Sequence, residues 1–107
     1  MLRYIFSDDA VSDLESISDY LTARNPDAAV RVLSSIIAAI KRACIFPEAA
    51  PAVDEPAEVP GTRKLIEMGY RYVIYYRVVD RTLLVVRVFH GSQSGRRGVT
   101  ETRENSR

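Results

Sequence analysis

The sequence predicts a two-layer α+β domain of order β-α-α-β-β-β: an N-terminal strand, an antiparallel helical hairpin, and a three-stranded antiparallel meander completing one sheet. Three observations predict it. The stretch Gly61–Gly91, GTRKLIEMGYRYVIYYRVVDRTLLVVRVFHG, is dense in Tyr, Val, Ile and Phe, and the short runs Met68-Gly69 and Val79-Asp80-Arg81 punctuate it. Upstream, two segments repeat apolar residues at helical spacing on either side of Asn25-Pro26. Before them, Leu2–Phe6 (LRYIF) is a short apolar and aromatic run closed by Ser7. Two helices between a strand and a meander bury their stripes together on one face of a single sheet.

Each element has its own signals. Ser7 is an N-cap, and Asp8 and Asp9 fall in the first turn, where carboxylates favour the helix dipole. Ala10, Leu14, Ile17 and Leu21 form the buried stripe of the first helix, leaving Asp13, Glu15 and Asp19 on a solvated acidic side. Asn25 caps a second helix over Pro26–Ile45, with Pro26 where its missing N–H costs nothing and a loop of about four residues before it. Ala29, Val32, Leu33, Ile36, Ile40 and Ala43 form its stripe, which Ile37 broadens, and Phe46-Pro47 stops it. Glu48–Pro60 follows, a stiff acidic connector of the kind that runs over a surface, placed either to guard a sheet edge or to move aside on binding.

The meander strands run over Tyr70–Val78 and Thr82–His90. Alternation puts Tyr72, Ile74, Tyr76 and Val78 with Leu84, Val86 and Val88 on one apolar face. Val73, Tyr75, Leu83, Val85 and Phe89 share the other face with Arg71, Arg77 and Arg87. Residues 1–91 read as one domain, and 92–107 as a polar, flexible tail.

The totals set limits. Fifteen Lys and Arg against fourteen Asp and Glu give a net charge of +1, which argues against nucleic-acid binding by overall charge. The one cysteine, Cys44, forms no internal disulfide, lies in an apolar helical pattern and fits a reducing cytoplasm. No run approaches the ~20 apolar residues needed to span a bilayer. Neither a metal-ligand cluster nor a Gly-rich phosphate loop nor a Ser/His/Asp pattern is present, so no metal and no cofactor is expected.

Several stretches, in this order and spacing, resemble the ParE/RelE superfamily of toxins of type II toxin–antitoxin systems. They are Ser7 with Ala10, DLESISDYL (Asp13–Leu21), NPDAA (Asn25–Ala29), IFPE (Ile45–Glu48), TRKL (Thr62–Leu65), YRYVIYYRV (Tyr70–Val78) and VVRVFHG (Val85–Gly91). The similarity is closer to the ParE branch, which implies a cytoplasmic inhibitor of DNA gyrase, neutralised by a cognate antitoxin and without catalytic residues of its own. The RelE branch implies instead an endonuclease that cleaves messenger RNA on the ribosome. A third reading is an inactive homologue that only binds an antitoxin.

These readings assign residues. An RNase needs a proton acceptor, a proton donor and cations around the phosphorane-like transition state. His90, Arg63, Arg77, Arg87 and Tyr75 are the residues present for it, although a strand-end histidine also serves as a structural hydrogen-bonder. For a gyrase-facing surface, charge clustering selects Arg63, Arg77, Arg87, Arg96 and Arg97. The same arginines have a plainer role available, pairing with Glu67, Asp80 or the connector. For the antitoxin, the expected contacts are Leu14, Ile17 and Leu21 on the first helix with Tyr75, Arg77 and Arg87 on the sheet. They would receive a helix in a groove or a strand at an edge. Interleaved Tyr and Arg also fit single-stranded nucleic acid, a reading the neutral total disfavours.

Overall fold

The computed structural model describes residues 1–53 and 59–92. Its elements are β1 (Arg3–Phe6), α1 (Asp8–Arg24), α2 (Pro26–Ile45), β2 (Arg63–Glu67), β3 (Tyr72–Val79) and β4 (Thr82–His90). They form one mixed sheet in the order β1-β4-β3-β2, with β1 parallel to β4 and the other pairs antiparallel. The predicted α+β class and element order are those observed.

Local chemistry sets the helix ends. The Ser7 hydroxyl accepts the Ala10 N–H at 3.0 Å, and Asp8 and Asp9 occupy the first turn of α1. The helix runs a turn beyond the apolar stripe and ends at Arg24, so no four-residue loop separates the helices. Asn25 alone joins them. Its N–H donates to the Leu21 carbonyl at 2.7 Å, closing α1, and its side-chain oxygen accepts the Ala28 N–H at 3.2 Å, opening α2. An extended residue (φ −162°, ψ 98°) followed by Pro26 turns the chain with no further length.

The core lies between α2 and the sheet. Ile36, Ile40, Ile74, Leu83 and Val85 are fully buried, each worth roughly 1.5–3 kcal/mol of apolar transfer. Tyr76 is buried with them, its hydroxyl donating to the Pro47 carbonyl at 2.7 Å and so fixing the exit of α2. Cys44 is buried, and burial pushes its thiol pKa up, as an inert core thiol requires.

One irregularity corrects the predicted faces. Tyr75 pairs with Arg87 but Tyr76 with Val85, so Val86 is an extra residue in β4, a β-bulge. The bulge switches the parity of the strand. Leu83 and Val85 therefore join Val88 in the core, and Leu84 lies across from Arg77 on the face opposite α1 and α2. Val78, expected in the core, is exposed.

The first meander turn is longer than its sequence suggested, since β3 begins only at Tyr72. The second is tighter. Asp80 and Arg81 alone span it with φ of 50° and 64°, the two positive values of a type I′ hairpin turn.

Both outer edges differ in cover. Along β2, Lys64 N–H donates to the Pro51 carbonyl at 3.0 Å and Val53 N–H to the Thr62 carbonyl at 2.9 Å. The described part of the connector thus covers that edge, one of the two roles the sequence left open, although its residues 54–58 lie outside the described residues. So does 93–107, where the flexible tail was expected.

Candidate functional site

β1 accompanies β4 only as far as Val85, and there the chain turns into α1. The remaining edge of β4 is finished by side chains of α1 and its cap. Ser7 donates to the Val86 carbonyl at 3.0 Å. Asp13 accepts the Val88 N–H at 2.8 Å and takes Nε and Nη2 of Arg87 at 2.8 and 3.0 Å. One carboxylate therefore caps a strand edge and clamps an arginine bidentately. The hydrogen bond to Asp13 raises the Arg87 pKa further, against the opposing effect of burial.

Past Asp13, α1 and the end of β4 enclose an open cleft of about 780 Å³. Ile17, Tyr20 and Leu21 line it from the helix, and Val88, Phe89 and His90 from the strand, with Tyr72 between. The α1 stripe is only half-buried here: Leu14, Ile17 and Leu21 pack against the core without being sealed by it. Arg24 stacks over the exposed Tyr20 ring at 3.7 Å.

His90 sits at the end of this cleft, paired across the sheet with Tyr72 and edge-on to its ring at 5.1 Å. Its Nδ1 accepts the Ser92 N–H at 3.3 Å and lies 3.0 Å from the Ser92 hydroxyl. Tyr72 is buried, and burial, with the Glu67 charge beside it, pushes its phenol pKa up. Glu67 is 2% exposed and surrounded by donors: the Ser35 hydroxyl and the N–H groups of Gly69 and Tyr70, both at 2.9 Å. Burial alone would raise its pKa. The Ser35 and main-chain hydrogen bonds prevail and hold it below the ordinary glutamate value.

No helix among the described elements covers the other face of the sheet. Lys64, Tyr75 and Arg87 form one cross-strand row, and Ile66, Val73 and Phe89 the next. Ile5, Leu84 and Arg77 form a third. The Arg87 guanidinium lies 4.5 Å over the Phe89 ring, and Tyr75 meets that ring edge-on at 6.2 Å. Among the described residues, Arg77 Nε is the one buried side-chain nitrogen or oxygen with no hydrogen-bond partner.

The residues singled out from sequence thus fall in three places. Ile17 and Leu21 line the cleft beside His90, and Leu14 continues their stripe. Tyr75 and Arg77 lie across the sheet from His90, and Arg87 bridges the two sides at the edge. Arg63 belongs with neither group. It pairs with Tyr76 and donates to the Ala50 and Glu48 carbonyls at 2.6 and 3.3 Å, holding the connector. Arg96 and Arg97 lie outside the described residues. Sequence reasoning missed Asp13, taken for part of a solvated side, and Tyr20 and Tyr72. It took Glu67 for an arginine's partner, whereas Glu67 accepts from Ser35, Gly69 and Tyr70 and the arginine's carboxylate is Asp13. The available signal for Asp13 was its position next to Leu14, at the border of the buried stripe.

Among the described residues no group of His, Cys, Asp and Glu could hold a metal ion, and no helix is long and apolar enough to cross a membrane.

Comparison with known proteins adds identity to this geometry. The family model described as the ParE toxin of the type II toxin–antitoxin system parDE matches residues 4–95. A Sinorhizobium fredii protein named "Putative toxin Y4kP" is 31% identical over 84 residues, covering 78% of this chain and 82% of that protein. A solved chain described as "Chromosomal ParDE TA system from P. aeruginosa" superposes with a TM-score of 0.67 at 23% identity. The match covers 84% of this chain and 96% of that one, and it supports the shared fold. With a family match across the strands and helices described above, and a relative of this identity and coverage, the chain belongs to the ParE toxin family of type II toxin–antitoxin systems.

Proposed function

We propose that the protein inhibits DNA gyrase by direct protein contact and is neutralised by a small cognate antitoxin. The carrying observation is the separation of the groups an RNA-cleaving centre would need. His90 opens onto the helix-side cleft, where the cation beside it, Arg87, is already clamped by Asp13; Tyr75 and Arg77 lie on the opposite face, and Arg63 is engaged by main-chain carbonyls. A general base and its cations must converge within hydrogen-bond reach of one phosphate, and these side chains diverge. The surfaces instead have the character of protein contacts: a half-open apolar cleft and a basic, aliphatic sheet face.

The antitoxin takes the cleft in this reading. Ile17 and Leu21 receive the apolar anchors of an amphipathic segment, and Tyr20 and Tyr72 flank it. Arg77 and Arg87 contribute to the gyrase contact. Purified, antitoxin-free protein is expected to inhibit gyrase supercoiling and accumulate cleaved DNA, with both effects reversed by the antitoxin. Unimpaired gyrase in the presence of excess folded protein would overturn the reading, and inhibition of translation in the same preparation would replace it.

A further inference from the structure

On the sheet face opposite α1 and α2 each strand contributes one cation: Arg3, Lys64, Arg77 and Arg87. No strand residue on that face is acidic. Aliphatic side chains lie between them, with Ile5 48%, Ile66 42% and Val79 38% exposed. Arg87 already has its carboxylate, Asp13, brought round the sheet edge. Among the described residues Arg77 has none, and its Nε is out of water without an acceptor.

We propose that this face is the docking surface for an acidic, aliphatic-bearing segment of a partner protein, with Arg77 as the anchor. An arginine that has lost water at Nε without gaining a protein acceptor has most to gain from a partner carboxylate. Aliphatics between the cations require a partner that alternates charge with apolar side chains, as an extended or helical segment does. A second copy of this chain would set like charges against one another. A nucleic acid would desolvate Ile5, Ile66 and Val79 without stacking on them, and the Phe89 ring is already engaged by Arg87 and Tyr75. Nor does this chain's own C-terminus complement the face, because 93–107 holds four arginines against two glutamates and a single aliphatic, Val99.

The inference deepens the gyrase reading, on which the partner's identity rests, by specifying the chemistry of the segment that would be bound. Its test needs no gyrase. Fluorescence anisotropy of the full chain is measured with three labelled probes: a peptide of alternating Glu and Leu, its Lys and Leu counterpart, and oligothymidine. The Glu-Leu peptide is expected to bind and the Lys-Leu peptide not to. Arg77→Glu should weaken binding about tenfold. Lys64→Glu provides a second variant on the same face, should the Arg77 substitution impair folding by circular dichroism. Arg31→Glu, on the exposed side of α2, should leave binding unchanged. Tighter binding of oligothymidine, an equal loss in Arg31→Glu, or no loss in either face variant would overturn the proposal. Gyrase poisoned equally by wild type and Arg77→Glu would also overturn it while sparing the gyrase reading. Peptide docking with gyrase untouched would do the reverse.

Discussion

Glu67 is a carboxylate that the fold removes from water and surrounds with donors, and its chemistry sets an acid limit to stability. Its pKa is lowered in the folded state, so its contribution is fully present above the unfolded-state value. That contribution is lost as pH falls through the unfolded value toward the folded one. Glu67→Gln leaves the Ser35 hydroxyl and two N–H groups with a weaker, neutral acceptor. The expected cost is about 1–2 kcal/mol at pH 7, shrinking as pH falls below the unfolded-state glutamate value of about 4.3 toward the lowered folded one. Urea denaturation of both proteins across pH measures it, and a pH-independent difference would show that the charge is irrelevant. Asp13 behaves differently because Arg87 is 43% exposed. Solvent screens that pair, so a double-mutant cycle of Asp13→Asn with Arg87→Gln should give a coupling of only ~0.5–1 kcal/mol. The loss from Asp13→Ala alone should be larger, about 1–3 kcal/mol, because the Val88 N–H is then left without its acceptor.

At the scale of elements, single residues act as joints. Asn25 ends one helix and begins the next, and only the second role uses its side chain. Asn25→Ala should cost about 1 kcal/mol and Asn25→Gly a few tenths, an ordering that chemical denaturation can check. The Asp80-Arg81 turn has the opposite sign of opportunity. Arg81 is held at φ 64°, where a side chain costs roughly 1 kcal/mol and glycine does not. After the extra entropy glycine loses on folding, Arg81→Gly should still stabilise by about 0.5 kcal/mol and raise the melting temperature by a few degrees. The far end of β4 is joined to the preceding turn through Gly91, whose N–H donates to the Arg71 carbonyl at 2.7 Å. A Cβ there would lie 2.8 Å from that oxygen, so the glycine is what lets the His90 end of the strand close against the turn.

Across the whole molecule, the sheet separates two surfaces of different chemistry. The cleft is apolar with Ile17 and Leu21 half-exposed, and the opposite face is basic. Ile17→Glu is therefore expected to block neutralisation by the antitoxin while leaving toxicity, read as growth arrest on induction in cells. Arg77→Glu is expected to show the converse. Loss of both properties in each variant, in folded protein, would mean that one continuous surface serves both partners. Arg87 is the residue through which the two surfaces touch, since it stacks on Phe89 and is clamped by Asp13 of α1.

The element order, the caps at Ser7 and Asn25, the Pro26–Ile45 helix and the stop at Phe46-Pro47 were all legible in the sequence. Each depends on residues close together in the chain, where capping, proline geometry and apolar periodicity act directly. The same was true of the basic character of the sheet and the apolar stripe of α1. What the tertiary structure alone decided is which strand residues face which way. Leu83, Leu84, Val85 and Val86 are all apolar, so period two cannot distinguish one face from the other, and a single extra residue at Val86 inverts the choice. That inversion puts Leu83 and Val85 in the core and Leu84 beside Arg77. Likewise, nothing near Asp13 in sequence announces that it will meet Arg87 and Val88, 74 and 75 residues away. Long-range pairing is set by where β1 ends and α1 begins against β4, a relation that exists only once the sheet has formed.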